Sequence, residues 1–241
     1  MKRPVLITLT HASNLIPSDL RQRLNLSAFE LKYKTDPATE KVFGVKNAHI
    51  IVAKFSRIIG NPNGDPADFN EKNPDRNGAV SLRPFRGKSV LKKNPQQQEV
   101  AIWRKKFVDP FYARIENVLP HVKFLLDGHS HFSRDRDTGE PRTDIIISNR
   151  NFQTCGKILT TKIANFFNQK GFSVAINQPF IGGYIINKYC SKKSPPGIQL
   201  EIKRSLYLDE KTLRVRPRDV TKLHKVIAEL VEMLALKNLI S

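Results

Sequence analysis

The stretch Val122-Lys123-Phe124-Leu125-Leu126-Asp127-Gly128-His129-Ser130-His131 is an apolar run that stops at a carboxylate and continues into two imidazoles. Its apolar part is too short for a buried helix and reads as a buried strand over about 122–127. Val5-Leu6-Ile7-Thr8-Leu9 repeats the pattern near the start, and Thr10-His11-Ala12-Ser13-Asn14 follows it. Open α/β sheets bind ligands in the crevice outside the carboxyl ends of their strands. Histidines delivered there from two distant segments can converge on one ion. A third piece, Ile198-Gln199-Leu200-Glu201-Ile202, sets a carboxylate inside an apolar strand. These three pieces predict a metal-dependent hydrolase.

Around them, short apolar runs bounded by turn residues predict strands at about 4–9, 48–55, 122–127, 143–148, 172–177 and 197–203. Helical periodicity fills the gaps. Over 96–119 it is carried by Val100, Trp103, Phe107, Phe111, Ile115 and Val118, and over 154–170 by Ile158, Leu159, Ile163, Phe166 and Phe167. Gly171 then reads as a C-cap. The last helix, about 218–239, carries Val220, Leu223, Ile227, Leu230, Val231 and Leu234. Strands alternating with such helices give an α/β sheet, and the length suits one domain over 1–241. Residues 61–95, rich in proline and glycine, interrupt the alternation as one long loop. A loop of that length inside a compact domain is usually a lid or a disordered segment.

Composition restricts the function classes. No apolar stretch approaches the roughly 20 residues that span a bilayer, so no membrane partner is expected. Cys155 and Cys190 give no disulfide framework, and the start lacks the apolar core of a signal peptide. The expected location is therefore a reducing cytoplasm. The net charge of +19 is the footprint of a nucleic-acid binder or a lure for anionic ligands. The basic residues are scattered, however. Their denser spots, Lys192-Lys193 and Arg214-Val215-Arg216-Pro217-Arg218, lack the aromatics of a stacking platform for single strands.

Zinc takes histidine nitrogen and carboxylate oxygen and keeps a position open in catalytic sites. His11 and His129 are candidate ligands, and Asp36 is a candidate third. Asn14, an amide and so a poor zinc ligand, reads as orienting a neighbour. Asp127 and Ser130 flank His129 and are placed to fix its ring. Glu201 is the candidate general base for a metal-activated water. Arg57 and Arg150, each closing a strand, are candidates to grip a carboxylate. Gly182 and Gly183 permit close approach of backbone to ligand. His131 is a candidate proton donor behind the ligands, whereas His49, His121 and His224 receive no role. Cys155 opens a helix without a histidine partner in sequence, so it is not read as a nucleophile.

These residues, in this order, resemble the N-formylglutamate amidohydrolase family over most of the chain. The resemblance runs through His11-Ala12-Ser13-Asn14-Leu15-Ile16-Pro17, Phe55-Ser56-Arg57, Asp127-Gly128-His129-Ser130 and Arg142-Thr143-Asp144-Ile145. It continues through Gly171-Phe172-Ser173-Val174, Asn177-Gln178-Pro179-Phe180, Gly182-Gly183-Tyr184-Ile185, Gln199-Leu200-Glu201-Ile202 and Leu206-Tyr207-Leu208-Asp209-Glu210. It implies a three-layer α/β/α fold like that of the zinc carboxypeptidases, with a mixed, mostly parallel sheet. It also implies zinc on His11, His129 and Asp36, water activation by Glu201, and an acidic N-acyl amino acid as substrate. Arg57 and Arg150 would hold its carboxylates, and Asn63 also falls among the substrate-binding positions.

The chain departs from the family pattern at two places. Where the pattern has Asp-x-Asn-Arg, the chain has Asn61-Pro62-Asn63-Gly64, and only Asn63 is kept. Where it has an arginine two residues beyond the isoleucine, the chain has Asn187. A different acyl substrate fits these departures as well as N-formylglutamate does, and an amide of peptide or cell-wall type is a further option. The alternative of another class is a non-catalytic binder of nucleic acid or polyanion on the same fold.

Overall fold

The computed structural model describes residues 3–68, 78–82, 87–191 and 195–236. Lys192 and Lys193 lie outside the described residues. The strands are β1 (Val5–Leu9), β2 (His49–Val52), β3 (Phe124–His131), β4 (Ile145–Ser148), β5 (Val174–Ile176) and β6 (Gly197–Lys203). They form one sheet in the order β2-β1-β3-β6-β4-β5. Every neighbouring pair is parallel except β4 and β6, so the sheet is mixed and mostly parallel.

The helices are α1 (Ser18–Arg21), α2 (Ala28–Tyr33), α3 (Thr39–Phe43), α4 (Gln97–Trp103), α5 (Asp109–Val118), α6 (Lys157–Gln169), α7 (Tyr184–Tyr189) and α8 (Pro217–Ala235). The periodic segment expected over 96–119 is two helices joined by a π-helical turn at Arg104–Val108. Gly171 follows α6 at φ +85°, a left-handed backbone conformation that suits a C-cap glycine. Four short helices had no legible periodicity, because α1, α2, α3 and α7 span six residues or fewer.

The period of two along each strand sends alternate side chains to opposite layers. Val5, Ile7, Leu9, Phe124, Leu126, Ile198, Leu200 and Ile202 are buried in one core with α3, α6 and α8. Leu6 and Leu125 point the other way, into a second core with α5 and α7. The result is a three-layer α/β/α arrangement. Each fully buried Leu, Ile or Phe contributes about 1.5–3 kcal/mol through removal from water.

The described parts of 61–95 contain no helix or strand, as expected of a loop. They are nonetheless anchored, because Ala79, Val80, Leu82, Val90 and Leu91 bury against Ile58, Ile59, Trp103 and Phe107 in a third apolar cluster. Among the described residues no helix is long and apolar enough to cross a membrane.

Candidate active site

The strand expected to end at Asp127 continues to His131, all eight residues buried. Asp127, His129 and His131 therefore lie on the same side as Leu125, by alternation. Gln199 and Glu201 of β6 share that side, and register sets His129 opposite Glu201. Thr8 of β1 and Thr10 just past it complete the row. This side of the sheet is apolar at its lower end and polar at its upper end. A cavity of about 440 Å³ opens over the polar end.

His11 lies just past β1, and Asp36 reaches it from the turn after α2, where the Asp36 amide donates to the His11 carbonyl (2.8 Å). The His11 and His129 rings stand 4.7 Å apart at 65°. One ligand atom from each of His11, Asp36 and His129 lies within 4.8 Å of the others, and all three residues are buried. The Nε2 edges of both rings face away from the group. His11 Nε2 donates to Asn61 Oδ1 (2.8 Å), and His129 Nε2 donates to Asp127 Oδ2 (2.8 Å). Thr8 Oγ1 fixes that carboxylate by donating to its other oxygen (2.7 Å).

The Nδ1 edges face inward. His129 Nδ1 is 3.1 Å and His11 Nδ1 3.8 Å from Asp36 Oδ2. Such an arrangement of second-sphere acceptors behind two imidazoles orients their inner nitrogens toward one point. In this structure Arg57 Nη1 donates to His11 Nδ1 (3.1 Å), so a positive charge already meets that lone pair.

Burial, aided by the charges of Arg57 and His129, holds His11 well below the ordinary imidazole range. Burial also opposes charge on His129, but Asp127 and Asp36 overcome it and raise this imidazole well above its usual value. Asp36 is held below the usual carboxylate range, because His129 and Arg204 outweigh the cost of burial. For Glu201 burial prevails, supported by Asp36 and Asp127 against His129 and Arg204, and its carboxyl is pushed up to about 7. Gln199 Nε2 holds it by donating to Oε1 (2.9 Å).

The remaining expected residues divide into those on the cavity wall and those behind it. Arg57, Asn63, Ser130, Gly182 and Gly183 line the cavity beside the His, Asp and Glu residues. Asn63 ties three segments together: its amide nitrogen reaches Gln199 Oε1 (3.1 Å), and its oxygen accepts from the Ile185 amide (3.0 Å). A Cβ at Gly183 would lie 2.3 Å from the Asn63 side chain, so a larger residue there would displace Asn63 from these partners. Asp127 sits behind His129. Arg150 is not on the wall; its Nη1 donates to the Gly182 carbonyl (3.2 Å) and braces the glycine turn from outside. Asn14 is exposed and takes no part in the lining.

Four wall or support residues received no role from the sequence. Arg204, buried directly after β6, donates to Asp36 Oδ1 (2.9 Å), to Ser130 Oγ (3.1 Å) and to the carbonyls of Tyr33 and Thr35. Its only sequence signal was its place three residues after Glu201. Arg142 enters the wall with its guanidinium over the Phe180 ring (5.0 Å), held by Asp135 (2.6 Å). Gln199 gave a weak signal as the alternate neighbour of Glu201. Asn61, noted only as a lost acid, supplies the acceptor for His11 Nε2.

The sequence profile of the N-formylglutamate amidohydrolase family matches residues 3–208. No curated protein matches the chain. Among solved structures, an N-formylglutamate amidohydrolase from Ralstonia eutropha JMP134 superposes with a TM-score of 0.82 at 18% identity, covering 95% of this chain and 93% of that one. A gene product of Agrobacterium tumefaciens superposes with a TM-score of 0.73, also at 18% identity, over 98% of this chain and 93% of that one. Both share its fold.

Proposed function

The chain belongs to the N-formylglutamate amidohydrolase family, and from that membership we propose a zinc-dependent amidohydrolase acting on an N-acyl amino acid or related small amide. The observation that carries this reading is the inward-facing set of His11 Nδ1, His129 Nδ1 and Asp36 Oδ2 beside a carboxyl that burial pushes up to about 7. Two imidazoles and one carboxylate are the donors zinc prefers, and the residues fit it. The carboxylates that favour a proton on His129 favour a cation in its place, so uptake of the ion releases protons.

When bound, zinc supplies Lewis acidity, polarising the acyl oxygen and making a water more acidic. The chain's own residues do the rest. Glu201, on the cavity wall beside the ligand set, takes a proton from the attacking water and returns it to the amide nitrogen. Arg204 keeps Asp36 ionised and fixed. Asn61 and Asp127 keep both rings turned with Nδ1 inward.

The cationic wall, Arg57 and Arg142, suits a substrate that carries a carboxylate. No side chain can stand at position 64, where a Cβ would lie 1.9 Å from the Gly78 carbonyl oxygen. The guanidinium that the family pattern sets there is absent, and Arg142 offers one on the cavity wall. Arg150, behind the wall, braces the turn.

Elemental analysis of protein purified without added metal is the direct test. About one zinc per chain is expected, lost in the His11→Ala, His129→Ala double variant, together with hydrolysis of at least one member of a panel of N-formyl and N-acetyl amino acids. Protein with no stoichiometric transition metal would sink the reading. Steeply salt-dependent nucleic-acid binding that survives the double variant would favour the polyanion binder instead.

A further inference from the structure

His131 is the third residue of the polar row on β3, and the ligand set and the water-activating step leave it unused. Its side chain is only 2% exposed and lines the cavity. Nε2 donates to the Thr143 carbonyl (3.0 Å), which fixes the ring and assigns the hydrogen to that nitrogen. Nδ1 is buried with no hydrogen-bond partner among the described residues. It stands 4.0 Å from Glu201 Oε2. With its one hydrogen on Nε2, the neutral ring leaves Nδ1 a bare acceptor. A buried acceptor left orphaned is costly, and native structures usually answer it with a donor.

We propose that His131 Nδ1 accepts a hydrogen from the departing amine nitrogen, which sits between His131 and Glu201; the proposal rests on the amidase reading above. One heavy atom at ordinary hydrogen-bond length, about 2.8–2.9 Å from each of these two acceptors, subtends about 90° at their separation. That geometry suits a tetrahedral nitrogen carrying two hydrogens. A secondary amide is planar and carries only one, so it satisfies a single acceptor.

The second hydrogen arrives during reaction. Glu201, protonated by the attacking water, transfers that proton to nitrogen. The C–N bond then breaks with its electron pair remaining on nitrogen, and the acyl carbon keeps the water oxygen. The products are a carboxylic acid and an amine. The contact to His131 is thus completed only as the bond breaks, and an interaction of that kind raises kcat rather than lowering KM. His131 acts here as an acceptor, where sequence suggested a donor.

An ester provides the discriminating substrate, because its protonated leaving oxygen brings one hydrogen and leaves none for His131. The test uses zinc-loaded enzyme, the best N-acyl amino acid of the panel, and the matching O-acyl 2-hydroxy acid. His131→Phe is expected to lower kcat for the amide by about 10–100-fold, with KM and ester hydrolysis nearly unchanged. His131→Asn, whose Oδ1 can stand near the position of Nδ1, is expected to recover most of the loss. Zinc content is expected to match wild type in both.

Equal losses on amide and ester, or no loss on the amide, would overturn the assignment. If His131→Phe fails to fold, product inhibition of wild type decides: the free amino acid should inhibit at least about tenfold better than its 2-hydroxy counterpart. Equal inhibition overturns the proposal. Wild-type enzyme that hydrolyses no member of the panel would overturn the amidase reading first, and this proposal with it.

Discussion

The two sides of one sheet, at the same strand positions, carry opposite chemistry. Ile198, Leu200 and Ile202 pack into the layer of α3, α6 and α8, while Gln199 and Glu201 between them face the cavity. In β3, Phe124 and Leu126 join the same apolar layer, and Asp127, His129 and His131 follow on the other side. One side gains stability by leaving water. The opposite side places ionisable groups in the same dry environment, where burial shifts their protonation and each depends on a specific partner. The apolar side is tolerant of chemistry and intolerant of lost volume. The polar side behaves in the reverse way.

That contrast can be broken most directly at Glu201. Glu201→Gln should lower turnover by about 10²–10⁴-fold with zinc content kept, measured by steady-state kinetics and elemental analysis. In metal-free protein the same change should stabilise the fold at neutral and alkaline pH. The wild-type carboxyl is raised to about 7 in the folded state, so the folded chain binds the extra proton. Its stability consequently falls as pH rises from the unfolded value toward about 7, and the glutamine variant lacks that fall. Urea melts across this pH range check the sign.

On the apolar side, Leu126→Ala should cost about 2–5 kcal/mol in urea unfolding, because Leu126 is fully buried. The activity per folded molecule should barely change. A loss of activity beyond the loss of folded protein would mean that the two sides are mechanically coupled.

Asp127→Asn probes the support behind the ligands. It weakens the acceptor behind His129 Nε2, and zinc affinity should fall by about 10–100-fold in a competitive chelator titration. The smallest effect is expected away from the cavity. Asp144 accepts from Ser173 and pairs with Lys203 (2.6 Å), and these contacts lower its pKa despite partial burial. Its stabilisation should be present above the ordinary carboxylate range and lost as pH falls through its folded value. In Asp144→Asn, acid unfolding should change by no more than about 1 kcal/mol.

Much of this was legible residue by residue. The six described strands, the two helices α6 and α8, and the helical character of 96–119 follow from apolar spacing, because burial imposes its period on neighbouring positions. His11, His129 and Glu201 stood out as polar residues next to or inside apolar runs. Asp36 had a weaker signal, lying in a turn with no strand to mark it. Arg204 was hidden, and Arg142 stood in the family pattern without a role, because a single arginine in a chain with 41 lysines and arginines carries no local mark. Arg150 looked equivalent to Arg57 as a strand-closing cation, yet one lies behind the wall and the other on it. That distinction depends on which way a turn faces the cavity, and Arg150 sits at φ 52° in such a turn.

The sequence by itself determined the alternation, the class of fold and the kinds of donor available, since these depend on neighbours a few residues apart. The tertiary structure decided which donors meet. Thr8 and Asp127 lie 119 residues apart and join through the pairing of β1 with β3, and His129 faces Glu201 through the pairing of β3 with β6. The same non-local pairing set the pKa shifts. Desolvation and charge are properties of a side chain's surroundings in space, and strand order, not spacing along the chain, supplies those surroundings.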